Sequence, residues 1–342
     1  MNILKWLAIG VMALAFLAGA GAIAAWTWAS AEIERPGPHG QDTDIMVAPG
    51  ESLVSVANRL EADGVIRHAR LMRLHARLRG AETRIKAGEF RLPAEASISD
   101  ILKQLVEGRV ITYRITLPEG LTTAQILARL EADPVLQGPV PSPPPEEGTL
   151  LPDTYQFPRG TTRAELLDRM AAAQDALLDE LWPDRAADLP LAGRREAVIL
   201  ASVVEKETGA DGERGLVASV FVNRLRRGMR LESDPTVIYG VSQGEPLFNA
   251  KGQRRPLYRS ELRRETPWNT YQIDGLPLTP ICNPGAGAIS AVLNPPDSDY
   301  IFFVADGTGG HAFSKTLAAH NRNVQAYRVF EREELARERG TP

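Results

Sequence analysis

The chain has 342 residues, 44% hydrophobic and 24% charged, ordinary globular values with length enough for more than one core. Its 39 Lys and Arg are outnumbered by 43 Asp and Glu, giving a net charge of −4 with the basic residues read as scattered, which speaks against a nucleic-acid partner. Cys282 is the only cysteine, so no internal disulfide can form, and His39, His68, His75, His311 and His320 are too dispersed for a zinc-type ligand set; no metal or organic cofactor is expected.

Residues 6–31 carry no charge and exceed the roughly 20 apolar residues that a bilayer core requires. Lys5 precedes this run and Glu32 and Glu34 follow it, so the amino terminus is expected on the cytoplasmic side, with Trp6, Trp26 and Trp28 near the two interfaces. A cleaved signal peptide is the competing reading, with Ala18, Gly19 and Ala20 as the small-residue site. The apolar run continues well past that site, which favours an uncleaved single-pass anchor over 1–34. Both readings put the remainder outside the cytoplasm.

A polar linker is expected over 35–44 and a small α+β module over 45–110. In the module, 45–47 reads as a strand and 52–63 as an amphipathic helix with Ser52 as N-cap. An Arg- and Leu-rich helix over 70–78, a strand over 89–92 and a capped helix over 99–106 complete it. A connecting α+β region is expected over 111–188. It holds an alternating, β-branched strand over 110–116, the turn Pro118-Glu119-Gly120, a helix over 123–131 and a proline-rich loop over 137–147. Most such loops are connectors, and a docking role for a partner is the lesser reading. A helix over 162–181 follows, and the break at 184–192 sets a last domain at 189–342.

That domain opens with a helix apolar on nearly every side, Ala197, Val198, Ile199, Leu200, Ala201, Val203 and Val204, which belongs in an interior. It delivers Glu205 and Glu207 at its last turn, with Gly209 as the expected C-cap. A half-buried carboxyl there has its pKa raised by desolvation, as a general acid near neutral pH requires. Residues two apart point roughly 200° away from each other, so spacing alone does not choose between the two, and either could be a solvated group at a frayed end. A second helix over 213–225 and a turn through Asp234-Pro235 collect Asn223, Asp234, Thr236 and Tyr239 near that end. Trp268, Asn269, Thr270 and Tyr271 pair rings with amide and hydroxyl groups, a combination that suits sugars and equally suits loop anchors. A helix over 285–292, a buried strand over 300–305, a turn over 306–310 returning through His311-Ala312-Phe313, and a closing helix over 317–335 are expected. His311 reads as a hydrogen-bonded structural residue ahead of a second acid or base.

The segments VVEKETG, Glu213-Arg214, VFVNRL, GMRLESDPTVIYG, ETPWNTY, GLPLTPICNPG and FFVADGTGGHAF, spread over about 190–325, resemble the endolytic murein transglycosylase (YceG-like) family in order and spacing. KAGEFRLP resembles the LysM-like portion of the same family, a fold associated with glycan binding. One departure is Glu232-Ser233, where the family pattern has Gln-Thr. The resemblance implies an α+β protein with a transmembrane helix, a LysM-like module and a mixed α+β catalytic domain whose catalytic Glu ends a buried helix. Carried over, that residue is Glu205; Asn223, Asp234, Thr236, Tyr239, Asn269 and Tyr271, whose placement the resemblance supports, are the candidates for substrate contacts and for orienting Glu205. The implied activity is non-hydrolytic cleavage of the MurNAc–GlcNAc bond in peptidoglycan strands, leaving 1,6-anhydro ends and terminating strand elongation. The chain would be held in the inner membrane, its catalytic part periplasmic, near cell-wall synthesis proteins. A hydrolytic muramidase using Asp234 as second carboxylate, and a glycan-binding scaffold without activity, are the alternatives.

Overall fold

The computed structural model describes residues 2–208 and 211–340 and is a mixed α+β structure. It divides into two compact units, residues 1–113 with 156–160, and residues 114–155 with 161–342.

The first unit begins with helix α1 (Asn2–Glu34), whose apolar surface stays exposed along its length until the final turns, where Glu32 and Ile33 become buried. Strand β1 (Thr43–Val47) pairs antiparallel with β2 (Gly88–Leu92) in the register Ile45↔Phe90, so alternate residues of both strands face one core. Between them lie α2 (Leu53–Ala62) and α3 (Ala69–Leu78), and α4 (Ile98–Glu107) follows β2. Val56, Leu60, Met72, Phe90, Leu92, Ile101 and Leu105 fill the interior, and Ile33 of α1 joins them. Ser52 caps α2 as expected, its side chain accepting from the Ser55 N–H. Helix α4 starts earlier than expected because Ser97, not Ser99, is the cap and forms a reciprocal capping box with Asp100. The segment between α1 and β1 is pinned: His39 bonds the carbonyls of Val65 and Pro93, and the Gly37 N–H donates to Glu95 O at 2.9 Å.

Strand β3 (Thr112–Thr116) pairs with β4 (Thr154–Pro158), and the division between the units falls within both. In the second unit, α5 (Thr123–Ala132) and α6 (Arg163–Leu181) open with capping boxes from Thr122 and Thr162. Helix α7 (Arg194–Glu207) is its centre: all eight residues from Ala197 to Val204 are buried. Around it lie α8 (Arg214–Arg226), α9 (Asp234–Ser242), the short α10 (Arg259–Leu262) and α11 (Ala286–Leu293). Val217, Ala218 and Phe221 of α8 and Ile289, Val292 and Leu293 of α11 pack on its apolar sides. The hairpin of β5 (Phe302–Ala305) and β6 (His311–Ser314) precedes α12 (Leu317–Gly340). Strand β5 is half-buried rather than buried, since a two-stranded hairpin has only one face against the core.

Candidate active site at the end of helix α7

The apolar wrapping of α7 fixes where its last turn ends. Thr208 is the C-cap, its N–H donating to Val204 O, and the expected Gly209 cap lies outside the described residues. Ser202, fully buried mid-helix, accepts from the Ile281 N–H at 3.0 Å and so ties the 281–285 segment alongside. The buried amide of Asn283 reaches Leu121 O, Thr123 Oγ1 and Glu147 Oε1, and its carbonyl oxygen accepts from Leu150 N. These bonds hold the turn at 118–121 and the segment at 283–285 beside the end of α7.

Glu205 sits between them, its side chain 5% exposed. The Gly285 N–H, at the N-cap of α11, donates to Oε2 at 2.9 Å, and Arg214 approaches Oε1 at 3.3 Å. Arg214 also pairs with Glu119 at 2.8 Å, so the same guanidinium meets both of these carboxylates. Gly120 (φ +77°) closes the other side: a Cβ there would touch Glu205 Cγ at 3.6 Å. Burial pushes the Glu205 carboxyl above its ordinary range. The Gly285 N–H opposes that rise, the Glu119 charge adds to it, and Arg214 opposes it. The protonated form is therefore favoured by the dry surroundings, while the N–H and Arg214 are already aimed at the anion that forms on proton loss.

Glu207 lies on the opposite side of the same turn. Burial raises its carboxyl to about 7, against the pull of the Ser233 hydroxyl bonded to Oε1; Asp234 adds to the rise, and His311 and Arg224 oppose it. Ser233 belongs to the Glu232-Ser233 pair that departs from the family pattern; Glu232 there takes φ +51° and pairs with Arg224. The Asp234 carboxylate accepts from the Tyr271 hydroxyl at 2.7 Å.

The sequence-derived contact residues separate into two sets. Asp234 is exposed and Tyr271 half-buried, and they join each other beside Glu207. The other four, expected as substrate contacts, are buried and already bonded within the chain. The Asn223 amide donates to Ser298 O and Tyr300 O, and Asn269 Nδ2 to Arg264 O, Leu262 O and Glu261 O. Thr236, fully buried, bonds Ser233 O and Thr270 Oγ1. The Tyr239 hydroxyl donates to Glu147 while its ring meets Trp268 edge-on, and the Trp268 indole N–H donates to Thr279. Their polar capacity holds loops, because a buried amide or hydroxyl is costly unless bonded. His311 is structural in the same sense: its N–H and Nδ1 both meet the Glu213 carboxylate, at 2.9 and 2.7 Å.

Glu119, Arg214, Gly285, Asn283 and Glu147 were assigned no role from the sequence. Arg214, Gly285 and Asn283 lie inside segments quoted for the resemblance, and Glu119 lies in a Pro-Glu-Gly turn. Nothing in local spacing could bring residue 119 to residue 205.

A family model described as the YceG-like family matches residues 45–326. An endolytic murein transglycosylase of Bacillus subtilis (strain 168) is 33% identical over 183 residues, covering 54% of this chain and 48% of that protein. Another, from Streptococcus pneumoniae serotype 2, is 28% identical over 324 residues, covering 81% of this chain and 57% of that protein. The chain thus spans about half the length of these curated relatives. A crystal structure of a yceG-like protein from Listeria monocytogenes is 28% identical with a TM-score of 0.49, covering 83% of this chain and 99% of that one. With the match running over residues 45–326, well over half of the 342 residues, the chain belongs to the YceG-like family.

Proposed function

We propose that this chain is a membrane-anchored murein lytic transglycosylase with Glu205 as its acid and base. The observation that carries the reading is the environment of Glu205: a nearly dry carboxyl, raised in pKa, with an amide N–H and a guanidinium on its two oxygens. The two relatives named above as endolytic murein transglycosylases support the substrate class.

In this reading protonated Glu205 donates to the oxygen of the MurNAc–GlcNAc bond, which breaks as positive charge develops at the muramoyl C1. The carboxylate left behind is stabilised by Gly285 N–H and Arg214, and it then accepts the proton of the muramoyl C6 hydroxyl as that oxygen closes on C1. The product is a 1,6-anhydro end, Glu205 regains its proton, and no water is consumed. Such cleavage would end the growth of a nascent strand. Asp234 and Tyr271 are the proposed sugar contacts; Asn223, Thr236, Tyr239 and Asn269 keep the loops in place. Because Glu119 and Gly120 adjoin Glu205, the catalytic portion takes in residues 114–155 as well as 189–342.

Helix α1 is the proposed single-pass anchor: it is the one helix among the described residues long and apolar enough to cross a membrane. The catalytic unit would then face the periplasm, within reach of cell-wall synthesis proteins. The strand–helix–helix–strand order of 43–92 supports the LysM-like reading of the module.

The deciding experiment is digestion of purified sacculi by the full-length chain, with mass spectrometry of the released ends. Anhydro ends that disappear in Glu205→Gln support the proposal. Reducing ends that depend on Asp234 would instead make the chain a hydrolytic muramidase, and binding without release would make it a scaffold.

A further inference from the structure

The basic residues, read above as scattered, in fact cluster along one short stretch of the first unit. Between 67 and 86 stand Arg67, Arg70, Arg73, Arg77, Arg79, Arg84 and Lys86 against one acidic residue, Glu82, in a chain of net charge −4. Helix α3 carries the centre of this cluster. Its inner side, Leu71, Met72, His75 and Ala76, is buried in the module, and its outer side presents Arg70, Leu74, Arg77 and Leu78 to solvent. Leu74 is 42% exposed and Leu78 59%. Arg70, Arg73 and Arg79 make no ion pair among the described residues, and the Arg77–Glu82 pair is a surface contact at 3.8 Å.

The depth of this face relative to a bilayer follows from α1. At a rise of 1.5 Å per residue, about 20 residues cross the hydrocarbon core, so a span starting after Lys5 leaves it near residue 25. Trp26 and Trp28, 59% and 56% exposed, then stand at the headgroup level. The next residues enter the module directly: Ile33 lies in its core with Ala29 packed against it. Glu32 is buried, pairing with Arg35 at 3.2 Å and lying 3.8 Å from Arg67, and the Trp28 ring meets His68 at 5.8 Å. No free linker separates span from module. Leu74, Leu78 and Arg79 line a recess shared with Trp26, Ala29 and Glu34, and Leu74 also borders an open groove of about 730 Å³ in which Arg70, Arg73 and Arg77 outnumber Glu51 and Glu82.

We propose that the outer face of α3 is a membrane-surface docking face, with Leu78 and Leu74 seated among lipid chains beside Trp26 and Arg70, Arg73, Arg77 and Arg79 bound to the phosphates of anionic phospholipids. The occupant is argued from charge complementarity and from continuity with the exposed apolar surface of α1. Two apolar side chains alone would hold weakly, whereas each Arg near an anionic surface adds roughly fivefold in affinity. The face would lay the module flat on the bilayer. This inference rests on α1 being a span, and not on Glu205 chemistry.

The test uses the full chain with Cys282→Ala and Leu78→Cys, an environment-sensitive fluorophore on the new thiol, in nanodiscs of phosphatidylcholine alone or with phosphatidylglycerol. Co-elution of chain and nanodisc first verifies the span; a chain that fails to co-elute refutes the anchor and this face with it. With the span verified, quenching by the neutral solute acrylamide should fall severalfold when phosphatidylglycerol is present. High salt should restore it, since screening weakens phosphate–Arg attraction. A further Arg70→Gln, Arg73→Gln, Arg77→Gln, Arg79→Gln chain should show equal quenching in both lipids. Equal quenching in both lipids for the unmutated cluster would overturn the proposal. So would protection in phosphatidylcholine nanodiscs brought about by soluble glycan strands, which would give the face to sugar.

Discussion

The two sides of the last turn of α7 hold the same functional group in opposite situations. Glu205 and Glu207 are both raised by burial, yet Glu205 meets a backbone N–H and a guanidinium on its two oxygens, while Glu207 is bonded by the Ser233 hydroxyl with Asp234 nearby. A raised carboxyl pKa therefore does not by itself identify a proton donor. The useful group is the one whose proton can leave and return, with charge stabilisation already in place beside it. Glu207 keeps its proton up to about 7 and, through Ser233, anchors the loop that carries Asp234.

The sharpest way to break this comparison is to neutralise each carboxyl in turn. Glu205→Gln should lower release of anhydro ends by roughly a hundred- to ten-thousandfold with the thermal midpoint unchanged, as removal of a general acid does. A variant that still digests sacculi near the normal rate would move the chemistry elsewhere on the turn.

Glu207→Gln should act on stability. In the unfolded chain this carboxyl gives up its proton near 4.5, and in the fold it keeps it to about 7, so stability drains away as pH rises through that window. By pH 8 the ionised form has cost the native state about 3 kcal/mol, which the amide avoids. Denaturant melts at pH 5 and pH 8 should therefore show the variant gaining on the parent at the higher pH. Equal differences at both pH values would mean that Glu207 is not held protonated by the fold.

A smaller effect tests the balance on Glu205. Its activity limb should fall as pH rises above its raised pKa, because the donor form is lost. Glu119→Gln removes a negative charge that favours that form and frees Arg214 for Glu205, so the limb should move to lower pH. The shift should be a few tenths of a pH unit, about what a partly exposed charge supplies. Gly285→Ala should move it the same way, since the new Cβ would lie 1.8 Å from Glu119 Oε1 and force that side chain aside. Limbs that stay in place in both variants would remove Glu119 from the mechanism.

The least disruptive change is Asp234→Asn, which keeps a partner for the Tyr271 hydroxyl. Turnover should drop less than about tenfold, as for loss of one hydrogen-bonded sugar contact, with anhydro ends still the product. A switch in end chemistry, or loss as large as that for Glu205→Gln, would favour the hydrolytic reading.

Much of this was legible along the chain because it depends on local pattern. The apolar run of α1, the buried run Ala197–Val204 that makes α7 a central helix, the Ser52 cap and the β5–β6 turn follow from hydrophobic spacing and turn chemistry. The two-residue spacing of Glu205 and Glu207 guaranteed that they face apart, and left open which was which. Burial of Asn223, Thr236, Tyr239 and Asn269 was not legible, since amides and hydroxyls look alike whether they meet a sugar or a loop carbonyl.

What the sequence determined alone was a membrane-length helix, an α+β chain and two carboxyls at the mouth of an interior helix. Only tertiary structure decided that residues 119, 214 and 285 meet at Glu205, that Ser233 closes over Glu207, and that Leu74 and Leu78 of α3, with Arg79 just beyond it, share a recess with Trp26. Periodicity acts over a few residues, whereas charge balance at a buried group depends on whichever distant segments the packed core brings within a few ångströms of it.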